Sequence, residues 1–279
     1  MRRAFDSACA GDLEGGSTRL AAAAEACVDL RQAGRILEQA AAYAERYNPA
    51  QAQKLLAEAR SKNLYVLQPM TGITYRPLTF TGSQAAKVAQ RATSMFGTTQ
   101  ALRVTVEGIL DRLHFDPTAT EEFEEAILEL GLFLGIGSQR PERELGQGPD
   151  NLWAIEPSRF WVIEVKSGAV SEFISKRDSG QLGEATQWFR RKYPAEQAAT
   201  PVMIHRERKL HNTASGPTGM RVINALRLSE LKSDVRALAE GLATNGWSDL
   251  SEVARLLNGH KLDAAGLDGR LVATTGGTV

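Results

Sequence analysis

The chain has 279 residues, 43% of them hydrophobic and 6% aromatic, with 33 basic side chains balancing 33 acidic ones. That length suits one large domain or two smaller ones, and the apolar content is enough for a substantial core. Zero formal charge removes any global attraction to nucleic acid, and no apolar run reaches membrane length, so contacts with a polyanion must come from local patches.

Residues 1–64 are rich in alanine and show no strand pattern. Leu20 to Leu30, Ala33 to Tyr47 and Pro49 to Arg60 read as three helices, with Asn48 placed to cap the last and Pro49 suited to its first turn. The small-residue pattern of Ala40, Ala41 and Ala44, then Ala52, Leu55, Leu56 and Ala59, resembles a helical hairpin of the tetratricopeptide kind. One such hairpin is too little for a solenoid, because these repeats need neighbours to cover their faces. The region is therefore either a packing layer for the rest of the chain or a helical piece that docks on another protein. Cys9 and Cys27 form no metal-binding spacing and read as reduced small hydrophobes. The stretch from Met1 to Asp6 has no signal-peptide character, so the cytoplasm is the expected compartment.

Residues 65–117 begin as a turn-rich connector with one or two short strands between 65 and 82. Ser83 to Met95 and Ala101 to Leu113 then read as helices. Asp116-Pro117 breaks the pattern, and Thr118 or Thr120 can cap a helix from Glu121 to Leu134 whose buried stripe is Phe123, Ile127, Leu130 and Leu134. Phe160 to Lys166 is dense in aromatic and β-branched residues and reads as a strand, as do Pro201 to His205 and Arg221 to Ile223. Gln181 is expected to open a helix whose apolar face is Leu182, Ala185 and Trp188, with Trp161 and Trp188 in the core. Leu228 to Leu242 and Leu250 to Leu257 follow as amphipathic helices, and the tail from Thr274 to Val279 is expected to fray.

The chemistry concentrates at Asp150, Glu164 and Lys166. On a strand, side chains alternate faces, so Glu164 and Lys166 point one way and Val165 the other. An acid beside a lysine fits a metal site in which Asp150 and Glu164 give hard oxygen ligands to a divalent cation. Lys166 would then orient or help deprotonate the attacking water, or stabilise charge on a phosphate. E-x-K by itself is common, and the chain holds two more, Glu207-Arg208-Lys209 in a polar stretch and Glu230-Leu231-Lys232 in a helical one. Only the triplet at 164–166 lies on a strand with an upstream Pro149-Asp150; its bland alternative is an ion pair on an edge strand.

Asp150, Glu164 and Lys166, with Phe123-Glu124-Glu125 upstream and Gln181 downstream, resemble the signature of the PD-(D/E)XK nuclease superfamily over about residues 118 to 225. The resemblance implies an α/β fold with a restriction-endonuclease-like core, a mixed central sheet flanked by helices in the order helix, strand, strand, motif strand, helix, strand, and an α-helical amino-terminal extension. It implies Mg²⁺ or Mn²⁺ held by Asp150, Glu164 and the carbonyl of Val165, hydrolysing phosphodiester bonds in DNA. Glu124 is the preferred acid of the first core helix and Glu125 the second choice, while the Gln181 amide would position the lysine or a phosphate. Arg140, Arg143, Lys176, Arg177, Arg206 and Lys209 are candidate contacts to the nucleic-acid backbone. The layout also resembles modules associated with bacterial helicases in defence or repair, which makes a helicase or ATPase subunit a candidate partner and leaves an oligomer open.

The expected segments are a helical extension over 1–64, connector and helices over 65–117, the nuclease core over 118–225, and carboxyl-terminal helices over 226–279. The competing function is a non-catalytic interaction module that keeps the fold to bind nucleic acid or protein. Other chemistries lack their motifs: there is no G-x-x-x-x-G-K-[ST] phosphate loop and no G-x-S-x-G elbow. The glycines from Gly131 to Gly137 end a helix where a dinucleotide fingerprint would begin one. His205 and His211 have no companion ligands at zinc spacing.

Overall fold

A computed structural model describes residues 2–69, 75–80 and 82–276. The chain divides into two compact units, one formed by residues 1–76 with 141–147, the other by residues 77–140 with 148–279.

The smaller unit is helical. Helices α1 (Arg2–Cys9), α2 (Leu13–Glu25), α3 (Leu30–Ala44) and α4 (Pro49–Lys62) pack through alanines and a few leucines, among them Leu37, Ala40, Ala44, Ala52 and Ala59. Small side chains allow a close approach: a Cβ on Gly34 of α3 would lie 2.5 Å from the Asn63 Cβ and 2.9 Å from the Ala59 carbonyl. Asn48 caps α4 as expected, its side chain accepting the Gln51 amide at 3.0 Å, with Pro49 in the first turn. The helix expected from Leu20 to Leu30 instead spans Leu13–Glu25 and stops at Ala26. Asp29 explains the break, since its carboxylate accepts the amides of Arg31 and Gln32 and starts α3 in its place. Helix α1 had no counterpart among the expectations.

The larger unit is an α/β structure around a six-stranded mixed open sheet. It opens with α5 (Gln84–Met95), α6 (Thr99–Arg112) and α7 (Thr120–Phe133). Strand β1 (Gly137–Gln139) follows, and after it α8 (Pro141–Leu145), which belongs to the helical unit. Strands β2 (Asn151–Glu156) and β3 (Arg159–Lys166) complete an antiparallel meander with β1. Helix α9 (Lys176–Lys192) then crosses to β4 (Ala198–His205), which lies parallel to β3 in the register Glu164↔Met203 and Lys166↔His205. Strand β5 (Arg221–Ile223) is parallel to β4. Helices α10 (Ala225–Asn245), α11 (Leu250–Gly259) and α12 (Ala264–Asp268) precede β6 (Val272–Ala273), which closes the order antiparallel to β5.

Strand alternation sends Trp161, Ile163, Val165, Val202, Ile204 and Ile223 into one core with α5, α6, α7, α10 and α11. Met203 and Val222 face the other way with Ile174 and Leu182 of the α9 side, and Phe160 packs against Phe189 of α9 and Tyr193 just after it at 5.2 and 5.1 Å. Trp161 and Trp188 are buried as expected, and Trp153 stacks on Trp161 at 5.7 Å.

Several expectations are corrected. No strand forms in the described part of 65–82; residues 70–74 and 81 lie outside the described residues. Neither Thr118 nor Thr120 caps α7. Asp116 holds the Thr118 amide and hydroxyl at 2.7 Å each, the cap position is Ala119, and Thr120 already lies inside the helix. Helix α9 begins at Lys176, five residues before Gln181, because Ser175 and Asp178 form a reciprocal capping box. The carboxyl-terminal segment is tied down as far as Thr275, which pairs with Lys209, while residues 277–279 lie outside the described residues. Residues 77–117 and 226–276 share the core of the sheet and do not stand as separate segments.

Candidate active site

The site is built where β3 and β4 end and α9 begins, at the carboxyl ends of parallel strands, a common place for ligands in open α/β sheets. In the β2–β3 ladder Asn151 faces Ile163. One step further sets Asp150 opposite Glu164, and opposed residues share a face. Asp150 Oδ2 accepts the Val165 amide at 2.7 Å. Amide and carbonyl of one strand residue point to the same side, so the Val165 carbonyl shares the side on which Asp150 sits. Its side chain packs into the apolar layer of the opposite face, as alternation requires.

Both carboxylates are nearly sealed from solvent, Asp150 at 7% exposed and Glu164 at 4%. Lys166 Nζ lies 3.3 Å from Glu164 Oε2. Burial alone pulls the Lys166 ammonium towards deprotonation, but the charges of Glu164, Asp150 and Asp178 and the bond to Glu164 outweigh it, leaving its pKa above the ordinary lysine value. Asp150, Glu164 and Lys166 therefore form one electrostatic cluster.

Two members of this neighbourhood were not singled out from the sequence as site residues. Asp178, in the first turn of α9, acts on both Lys166 and His205. The signal for it was present, since Ser175-Lys176-Arg177-Asp178 carries the spacing of a capping box. His205, the register partner of Lys166, is fully buried; its Nδ1 accepts the Glu207 amide at 2.9 Å, while Nε2 has no partner among the described residues. Burial pushes its pKa down, only partly offset by Glu207 and Asp178, so the ring is neutral.

The other expected residues fall in different places. Gln181 is half-buried in the second turn of α9, three residues past Asp178 and on the same helix face. Glu124 reaches the neighbourhood through its backbone, whose carbonyl accepts Asn151 Nδ2 at 3.1 Å next to Asp150. Its carboxylate is bound to Arg140. Arg140, expected on the surface, is buried, and its guanidinium also meets Glu121 and Glu125 at 2.9 Å each. A planar fork satisfies several carboxylates at once, which is why an arginine sits inside this acidic helix turn. Arg143 lies on α8, in the helical unit.

Lys176, Arg177, Arg206 and Lys209 are exposed. A short parallel contact between Ile174 and Leu210 joins the segment leading into α9 to the loop after β4. It gathers Lys176, Arg177 and Lys209 beside the strand ends. Lys209 Nζ lies over the Phe173 ring at 4.8 Å, and Arg206 donates to the Phe115 carbonyl at 3.3 Å.

Among the described residues no group of three or more His, Cys, Asp or Glu side chains has metal-site spacing. The expected donor set is smaller, two carboxylates and a backbone carbonyl, all hard oxygens. Asp150 and Glu164 are both buried, and Asp178 adds negative charge beside Lys166. Buried anions are costly unless neutralised, so this donor set fits a hard divalent cation.

Comparison of the chain with protein-family models, curated proteins and solved structures gave no match.

Proposed function

We propose that the larger unit is a restriction-endonuclease-like domain of the PD-(D/E)XK kind and that it hydrolyses phosphodiester bonds in DNA. The observation that carries this reading is the convergence of buried Asp150 and Glu164 with Lys166 at the end of β3, approached by exposed basic residues. The element order α7, β1, β2, β3, α9, β4 supports it, being the order the resemblance requires, with only α8 intervening.

Asp150, Glu164 and the Val165 carbonyl would hold Mg²⁺ or Mn²⁺. Such an ion would polarise a phosphoryl oxygen and make a water more acidic. Lys166, whose pKa the neighbouring Glu164, Asp150 and Asp178 raise against the pull of burial, would stabilise charge on the phosphate and orient the water. Gln181 and Glu124 hold positions around the same end of the sheet. Lys176, Arg177, Arg206 and Lys209 would contact the backbone, a role that needs only positive charge at the right height. Buried Arg140 has no part in that contact. The helical unit is the piece proposed to meet a helicase or ATPase subunit of a cytoplasmic bacterial defence or repair system.

The test is incubation with linear, circular and single-stranded DNA and with RNA, each with Mg²⁺, Mn²⁺ or EDTA. Cleavage of DNA with either ion and none in EDTA is expected. Unchanged cleavage in EDTA, or cleavage confined to RNA, contradicts the proposal.

A further inference from the structure

Lys87 and Arg91 stand one helical turn apart on α5 and line an open pocket of about 430 Å³ beside β1. Leu78, Leu132 and Ile136 give it an apolar side, and no carboxylate lines it among the described residues. The walls are fixed to one another. Gly135 adopts a φ of +70°, and a Cβ there would sit 2.4 Å from the Gln84 carbonyl. The Gln84 amide in turn donates to the carbonyls of Leu134 and Leu262 at 2.9 and 2.8 Å.

Two cations in this pocket are left incomplete. Lys87 and Arg91 are half-buried and make no ion pair among the described residues; the Lys87 ammonium lies over the Phe80 ring at 4.9 Å. Burial pushes both pKa values down, and the charge of Glu129 offsets this only in part at Arg91. Like charges four residues apart on a helix are an unfavourable pairing in general. An anion would complete both.

We propose that this pocket binds a phosphate monoester, carried either by a nucleoside monophosphate or by the end of an oligonucleotide. A dianionic phosphate balances two cations where a single carboxylate balances one. The Arg91 fork can take two phosphoryl oxygens and Lys87 a third, while the Leu78, Leu132 and Ile136 side covers the organic part. The volume lies within the range usual for small-molecule sites, about 300 to 1,000 Å³.

The pocket is separate from the candidate active site. Ser138 pairs with Trp153, three residues along β2 from Asp150, on the order of 10 Å away. Trp153 faces the α7 side of the sheet, whereas Asp150 lies opposite Glu164 on the α9 side. The inference therefore does not depend on the nuclease reading.

The test is calorimetric titration of the whole protein in EDTA with inorganic phosphate, a nucleoside monophosphate, the matching nucleoside, and a short oligonucleotide with and without a 5′-phosphate. Saturable binding of at least one organic monophosphate is expected, at least tenfold tighter than its unphosphorylated form. Lys87→Gln and Arg91→Gln should each weaken it at least tenfold, and Asp150→Ala should leave it unchanged. Preference between the free nucleotide and the phosphorylated end identifies the source. Three results would overturn the proposal: no saturable binding of any phosphorylated probe at about millimolar concentration, affinity unchanged in both Gln variants, or loss of binding in Asp150→Ala.

Discussion

Among single residues the proposal turns on Lys166. A lysine acting as a base must lose its proton near neutral pH, and burial alone would push it that way. Here Glu164, Asp150 and Asp178 reverse the effect and hold the ammonium charged. Its proposed task is electrostatic, and removing one preorganised charge of this sort costs about 10²- to 10³-fold in turnover. Lys166→Ala should lose roughly that much activity yet keep its affinity for Mn²⁺ in a calorimetric titration, because the ammonium is no ligand. Lys166→Arg should not restore the rate, since a planar fork does not replace a compact charge. Normal turnover in Lys166→Ala, or a loss of Mn²⁺ affinity as deep as that of Asp150→Ala, would contradict this role. The triplet itself was legible from alternation along one strand. Asp178 and His205 were less so, because they join Lys166 only through the β3–β4 register and the start of α9, neither of which local pattern specifies.

Elements with a strong internal period were the readable ones. Strand β3, the apolar stripe of α7, and the helices α5, α6, α10 and α11 lie close to where periodicity puts them. The misplaced boundaries are those set by single side-chain bonds, such as Asp29 starting α3, Asp116 diverting Thr118, and Ser175 with Asp178 starting α9 early. Strand β1 has three residues, Gly-Ser-Gln, and owes its existence to pairing with β2. A pH effect belongs at this scale. Arg236 of α10 donates to Glu107 of α6, and that bond holds the Glu107 carboxyl below its ordinary value. A carboxylate depressed on folding stabilises above its unfolded pKa and loses that contribution as pH falls below about 4.5. Arg236→Ala should therefore lower stability at pH 7 and have little effect at pH 3, flattening the acid limb of a urea-denaturation series. The pair is half-exposed, so the loss at pH 7 should be small, about 0.2 to 1 kcal/mol. An equal loss at both pH values would show that Arg236 acts through packing alone.

At the scale of the whole molecule, the alanine-rich start was legible as a helical region of its own, but the boundary falls at residue 76 and the unit also takes in residues 141–147. A seven-residue excursion between β1 and β2 leaves no composition signal, which is why Arg143 was grouped with the sheet. The merging of residues 77–117 and 226–276 into the sheet unit was hidden for a different reason: contacts far apart in sequence create that core, and local pattern does not record them. We propose that Asp150 and Glu164 serve one metal-dependent cleavage site. The most direct measurement is the Mg²⁺-dependent cleavage of DNA by purified Asp150→Ala and Glu164→Ala proteins, with circular dichroism showing that each is folded. Each substitution is expected to abolish cleavage while the fold survives. Full activity in either folded variant would contradict it.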